Sequence, residues 1–351
     1  CTANITNNLS NRNLIINGGF QVFQRSTSAS GTGASEGYFA PDRFRQAGTG
    51  SMRYTASQST DVPAGYGFSN SLKYDCTTAS GTVSAGHFVA IEHRLEGQDV
   101  QVFCKGTAQA KQYTISFHVK SPKTGIHVVE LYDNDNNRHV AKSYTISSAD
   151  AWQKVTLTFP ADTTGAFGND NGSSLRIFFW LMAGTDFTGS TLPSAWASFS
   201  STARATGQVN VFDSTSNDFF ITGIQLEVGS VATDFEHRSF AQELALCCRY
   251  FYAATDTIAG IFIPDNADQD AAYGGVQFPV IMRAAPTVIF GDNAGNNAGV
   301  VTQHGAAHGI AAAAGDIGKH GIGRCQKSSG TWTIGSGYPI AAKIASATAE
   351  L

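Results

Sequence analysis

At 351 residues the chain exceeds the usual size of one domain and favours two, with a core large enough to fold without staples. Charged residues make up only 14%, glycine is over-represented at 37, and the net charge is −4 with no basic run, which argues against a nucleic-acid partner or an anionic membrane surface. No apolar run approaches the roughly 18 residues that a spanning helix needs, so no membrane insertion is expected.

Residues 1–12 are polar, Asn-rich and without periodicity, and read as an extended lead-in. The chain opens at Cys1 with no initiator methionine or signal peptide, as a piece of a longer protein would. Leu14 and Ile16 begin an extended segment, Asn17-Gly18-Gly19 turns it, and Phe20, Val22 and Phe23 resume it. Residues 26–37, all small or polar, predict a surface loop.

The clearest strands follow. Tyr113, Ile115, Phe117 and Val119 alternate with Thr114, Ser116, His118 and Lys120, and Val155, Leu157 and Phe159 alternate with Lys154, Thr156 and Thr158, a pattern with one face in the core and the other wet. Residues 127–146 predict a hairpin whose turn is the Asp/Asn run 133–137. In 175–182, Leu175, Ile177, Phe179 and Leu181 fill one face while Phe178, Trp180 and Met182 make the other apolar too. That second face needs a cover. The loop 183–207, with Trp196 and Phe199, is the first expectation, ahead of a subunit contact or a sugar platform.

From Phe220 to Val228 the apolar residues Phe220, Ile224, Leu226 and Val228 alternate with Gln225 and Glu227, which reads as a half-buried strand that Gly229-Ser230 ends. Ser239 sits at a helix N-cap with Gln242 as its capping-box partner, and Phe240, Leu244, Cys248 and Phe251 follow at helical spacing. Beyond it, 258–263, 276–282, 287–290 and 331–334 are short strand candidates, and the Gly/Ala-rich stretch 291–325 buries too little side chain to promise an independent fold. The pattern predicts an all-β chain: a jelly-roll-like β-sandwich over 13–238, a helical connector 239–252, and a small β-rich C-terminal domain 253–351.

The stretches FFITGIQLEVGSVATDFEHRSFAQELALCCRYF at 219–251, NLIINGGFQVFQR at 13–25, APDRF at 40–44 and FPVIMRAAPTV at 278–288 resemble a group of bacteriophage and prophage tail-fibre-like appendage proteins that carry a carbohydrate-binding-like jelly roll. The resemblance implies a virion surface protein that is assembled in the host cytoplasm and attaches to a host-surface polysaccharide. It further implies a homo-oligomer, with a trimer favoured, and contacts with other virion proteins. A purely structural decoration protein and a glycan depolymerase are the rival readings.

The six cysteines show no metal-binding spacing, and cytoplasmic assembly predicts free thiols. Adjacent Cys247 and Cys248 are not both expected on the helix's buried side. Catalytic motifs are missing: there is no G-x-S-x-G elbow and no phosphate loop, so the chain reads as a non-enzyme that needs no cofactor. His304 and His308 have zinc-helix spacing but no intervening glutamate, and the run Asp133–Asn137 departs from a calcium loop at Arg138 and Tyr144, so no metal site is expected. Sugar binding needs an aromatic face flanked by amides and carboxylates. Loops of that composition supply the candidates Tyr38, Tyr66, Tyr132, Asp133, Asp135, Asp186 and Trp196, each equally explicable as part of an ordinary exposed turn.

Overall fold

The computed structural model describes residues 11–33, 35–254, 260–264, 271–291, 300–303, 306–311, 316–327 and 340–351. The chain divides into two compact units, with the division between Phe240 and Ala241. The N-terminal unit carries β1 (Ser28–Thr32), β2 (Phe44–Thr49), β3 (Arg53–Ser59), β4 (Ser71–Thr78), β5 (Phe88–Glu96), β6 (Tyr113–Lys120), β7 (Gly125–Asp133), β8 (Arg138–Ile146), β9 (Gln153–Phe159), β10 (Ser173–Ala183), the one-turn α1 (Thr185–Thr188), β11 (Ala197–Ser198) and β12 (Asp218–Val228).

These strands form two antiparallel sheets, a first in the order β1-β3-β4-β12-β6-β9 and a second in the order β11-β8-β7-β10-β5-β2. From β4 to β10 the chain passes back and forth between the sheets, which is the jelly-roll-like sandwich that the strand pattern predicts. Inward-facing side chains from both sheets fill the space between them. Phe117 of β6 sets its ring edge-on to Phe179 of β10 at 5.1 Å and to Tyr144 of β8 at 5.3 Å.

The outer faces depart from the expected wet surface. Thr114, Ser116 and His118 of β6 are buried, as are Gln225 and Glu227 of β12, because the segment after β12 folds back over them. Thr114 donates from Oγ1 to the Gly229 carbonyl at 2.7 Å, Glu227 accepts from the Thr233 amide at 2.8 Å, and Gln225 Oε1 accepts from the Glu236 amide at 2.8 Å. Burial of Thr114, Gln225 and Glu227 is tolerated because these three are hydrogen-bonded. Gly223 makes a bulge in β12 with φ +65°, and a Cβ at that position would lie 2.4 Å from Phe68 Cζ.

The opening motif is a clamp rather than a strand. Asn17 Oδ1 accepts the amides of Gln21 and Val22, and its Nδ2 donates to the carbonyls of Val22 and Asp42, which ties the NGGF turn to the APDRF segment. Asn13 bonds to Leu226 and Ile224 through its side-chain amide, so ladder pairing does not develop over 13–16. The Ser/Thr-rich stretch expected to be a loop contains β1, an edge strand held to β3 by backbone bonds that its side chains do not announce.

The second unit holds α2 (Phe240–Cys248), β13 (Phe251–Tyr252), β14 (Gly260–Pro264), β15 (Ala271–Gln277), β16 (Thr287–Gly291), β17 (Val300–Gln303), β18 (Ala306–Ala311), β19 (Gly321–Lys327) and β20 (Ile340–Thr348). Its described residues build a core of their own from Phe262, Val276, Phe278, Met282, Val288, Phe290 and Ile344. Cys247 and Cys248 are both buried, against expectation. The helix ends at Cys248, and Tyr250 of the turn that follows and Phe251 of β13 are buried with them. Cys76 and Cys104 carry free thiols. The candidate strand 331–334, His304, and residues 1–10 of the lead-in lie outside the described residues.

Candidate functional site

The alternation of β10 sends Arg176, Phe178 and Trp180 to the outer face of the second sheet, opposite its core residues. Register places Arg176 beside Tyr132 and Phe178 beside Glu130 on β7, and Phe178 beside Glu92 and Trp180 beside Ala90 on β5. Beyond β5, β2 adds Arg45 opposite Glu92 and Ala47 opposite Ala90. The loop after β10 roofs one half of this face, as expected. Phe187 of α1 packs 5.5 Å from the Trp180 ring and 4.9 Å from Phe88, and Leu192 and Ala205 complete a second apolar cluster with Phe178 and Trp180.

The other half stays open as a groove of about 250 Å³, walled by Phe88, Tyr132, Phe178 and Phe199 and by the guanidinium groups of Arg45, Arg176 and Arg204, with Glu36 at its rim. Two carboxylates lie beneath it, both fully buried. Glu92 accepts from Arg45 Nη1 at 2.7 Å, from Arg94 Nε at 2.8 Å and from Arg176 Nε. Burial pushes the Glu92 carboxyl up, but Arg94 and Arg176 outweigh it and hold the group below the usual carboxylate range. It therefore remains an anion.

Glu130 is held by Arg204, whose Nη2 lies 2.9 Å away, by the Trp180 indole N–H at 3.3 Å and by His139 Nδ1 at 2.9 Å. Ser200 donates its amide to His139 Nε2 at 3.3 Å, so the ring proton that reaches Glu130 sits on Nδ1. Arg204 also lies over the rings of Phe178 and Trp180, at 4.8 Å from each, and Arg176 over Tyr132 at 5.6 Å and Phe178 at 5.0 Å. Both guanidiniums are thus fixed by a carboxylate below and an aromatic ring beside them. The carboxylates are out of reach of solvent while each arginine keeps an exposed edge, so a ligand in the groove meets N–H donors and aromatic rings.

Of the candidate residues, the structure brings only Tyr132 to this groove, with its hydroxyl donating to Asn137 Oδ1 at 3.0 Å. Tyr66 lies on the opposite sheet's outer side, half exposed. Asp135 is an exposed turn residue that accepts the Gly168 amide at 2.8 Å, Asp186 is exposed in the single turn of α1, and Tyr38 lies half-buried under Arg25. Trp196 and Asp133 are not surface residues. Trp196 is 8% exposed in the main core, where its indole donates to the Pro160 carbonyl at 2.9 Å.

Asp133 is completely buried at the base of the hairpin turn. Its Oδ1 accepts the amides of Asp135 and Asn136, which folds the run 133–137 as a polar turn, and its Oδ2 meets the Lys105 ammonium at 2.6 Å. Lys105 donates as well to the carbonyls of Thr164 at 2.9 Å and Gly165 at 2.7 Å and lies 3.0 Å from Asp162. An ammonium thus fills the oxygen-lined cage behind the turn. Among the described residues no cluster of three or more metal-ligating side chains occurs.

The residues that the loop compositions do not reveal are Arg45, Arg176, Phe178, Phe199 and Arg204. The doubly apolar 175–182 strand is their one sequence signal, and it marks the face without saying that half of it stays open.

No family model matches the chain. No curated protein matches it either. Among solved structures, the enzymatically active domain of tailspike protein 4 of bacteriophage CBA120 is similar over 62% of this chain, at 13% identity and a TM-score of 0.32, and the match spans only 21% of that chain. A family 11 carbohydrate-binding module of Clostridium thermocellum, solved with a β-1,3-1,4-mixed-linked tetrasaccharide, is similar over 59% of this chain and 99% of its own, at 12% identity and a TM-score of 0.29. TmCBM61, solved with β-1,4-galactotriose, is similar over 62% of this chain and 99% of its own, at 9% identity and a TM-score of 0.31.

Proposed function

We propose that the chain is a non-enzymatic virion appendage protein that binds host-surface glycan through the groove on the outer face of its second sheet. The observation that carries the reading is the groove itself, in which Arg45, Arg176 and Arg204 present fixed N–H donors between the rings of Phe88, Tyr132, Phe178 and Phe199. Hydroxyl and carboxylate oxygens of a glycan accept from guanidinium, and the apolar side of a sugar ring lies on an aromatic face. The virion setting rests on the resemblance of the stretches at 13–25, 40–44, 219–251 and 278–288.

Binding without cleavage fits the two buried carboxylates. Hydrolysis of a glycoside by a carboxyl pair needs one member protonated to serve as the acid. Glu92 is held ionised by three arginines, and Glu130 is enclosed by Arg204, His139 and Trp180. Both are fully buried, so neither reaches a leaving group in the groove.

Self-association, with a trimer favoured, fits the second unit, where Ile263 and its cross-strand partner Tyr273 are both exposed. Repetition of a weak groove would then raise affinity through avidity. Light scattering that finds only the 37.0 kDa monomer at micromolar concentration refutes this part.

The test of function is binding of the purified chain to immobilised bacterial surface polysaccharides and to intact cells, with released reducing sugar measured in parallel. Binding without release, weakened about tenfold by Arg176→Ala or Tyr132→Ala, is the expected result. Absence of binding across the panel would point to a decoration protein that only assembles, and released oligosaccharide to a depolymerase.

A further inference from the structure

The outer side of the first sheet carries a second recess, of about 290 Å³, lined by Tyr66, Ser116, His118, Lys154, Asp234, Phe235 and His237. His118 stands on β6 between Thr222 of β12 and Lys154 of β9 and is only 4% exposed, yet neither of its ring nitrogens has a hydrogen-bond partner among the described residues. Aromatic rings surround it, with Tyr66 at 4.4 Å and Phe68 at 5.4 Å, while Phe235 and His237 pack 4.9 Å apart against Phe68. The rim is fixed by His237, whose Nε2 lies 2.9 Å from the Tyr66 carbonyl.

A buried imidazole with both nitrogens unused is costly; the Tyr113 hydroxyl of β6 is also unpartnered, but among the described residues His118 alone leaves two buried polar atoms without a partner. Burial, and then the charge of Lys154, lower the His118 pKa to about 4, so the ring is neutral at physiological pH. A neutral imidazole offers one donor and one acceptor, which is the complement of a hydroxyl group. Tyr66 is 49% exposed and offers a ring face at the entrance. Lys154 and Asp234 at the margin carry opposite charges, so the recess attracts neither sign of ion.

We propose that this recess is a second carbohydrate subsite, which takes one neutral sugar ring on the face of the sandwich opposite the arginine-lined groove. A hydroxyl of that ring bonds to His118, and its apolar side lies on Tyr66. Ligand pockets usually run from about 300 to 1,000 Å³, so a recess of this size holds a single ring and not a chain of them. The subsite is independent of the groove in position and in chemistry: one is neutral and aromatic-walled, the other lined by guanidinium.

The isotopically labelled full chain is titrated with the methyl glycosides of glucose, galactose, mannose and N-acetylglucosamine, and with glycerol as the polyol control. The imidazole signals of His118 report on this recess, and the indole N–H of Trp180 reports on the groove. Saturable shifts of the His118 signals with at least one glycoside, weakened tenfold or more in Tyr66→Ala with an unchanged melting temperature, are expected. The subsite is refuted if no glycoside moves the His118 signals, if glycerol moves them equally, or if Tyr66→Ala leaves the response intact. Shifts confined to Trp180 would likewise refute it while leaving the groove as a binding site.

Discussion

Lys105→Met isolates what holds the hairpin turn between β7 and β8. The substitution keeps the length and most of the volume of the side chain, so the packing change is small, but it withdraws the ammonium from Asp133, Asp162 and the carbonyls of Thr164 and Gly165. Asp162 retains Arg138 at 2.9 Å, whereas Asp133 keeps only amide donors in a position with no solvent contact. Removing one partner of a fully buried pair costs about 3–5 kcal/mol. For a unit of this size each kcal/mol lowers the melting temperature by about 2–4 °C, so a fall of roughly 6–20 °C is expected. Lys123→Met is the control: its pair with Asp213 is about one-third exposed on both sides and its loss should cost less than about 1 kcal/mol. In thermal and urea unfolding, Lys105→Met/Asp133→Asn should recover more than half of the loss, because the buried charge has gone. A loss below about 1 kcal/mol for Lys105→Met, or a double variant as unstable as the sum of the single ones, would refute the reasoning.

Trp196→Ala should lower stability by about 3–5 kcal/mol, as Phe117→Ala should, because both side chains are core, while Tyr132→Ala should weaken glycan binding with little change in melting temperature; calorimetry beside the binding assay separates the two kinds of residue. Binding of an acidic polysaccharide to the groove should weaken as salt rises, since three guanidinium groups line it against the single rim carboxylate of Glu36, and a salt-independent affinity would exclude that class of ligand. Stability should fall as pH drops from about 6.5 towards 4, because burial holds His127 and His118 at about 4 in the folded state and the unfolded chain binds the protons first. Glu92 and Asp162, whose folded pKa values are depressed, add stability above their unfolded values near 4 that is lost below it. A urea midpoint that is flat between pH 7 and 5 would contradict the histidine part.

Strand positions and the core were legible in the sequence wherever alternation is local. The period of two in 113–120 and 153–159, and the Asp/Asn turn at 133–137, are fixed by neighbours in the chain, and the structure repeats them. What alternation does not carry is the identity of whatever lies over the polar face. Thr114, Gln225 and Glu227 read as wet and are buried, because the covering segment 229–238 has no periodicity of its own to declare its place. The NGGF turn is where the sequence puts it, but the extended segments on either side form no strand for a related reason: the Asn13 and Asn17 side chains take over backbone bonding, which hydrophobic pattern does not register.

The groove was less legible than the core because its chemistry is assembled across strands. Arg45, Arg176 and Arg204 are more than a hundred residues apart at the extremes, and each looks like an ordinary solvated charge in its own stretch. Sheet register brings the first two to one buried carboxylate, Glu92, and the covering loop delivers the third to Glu130. A carboxylate under the sheet surface requires a cation above it. The cation in turn needs only part of its donor set for that pairing and leaves the remainder turned outward. The same ion pairs that make burial of Glu92 and Glu130 tolerable therefore leave fixed donors on the open half of the face, so the stability of the sheet and the glycan binding proposed for the groove rest on the same residues. Arg176→Met should then lose both, whereas Phe88→Leu, which keeps the apolar wall and all three arginines, should lose only the contribution of an aromatic ring to binding.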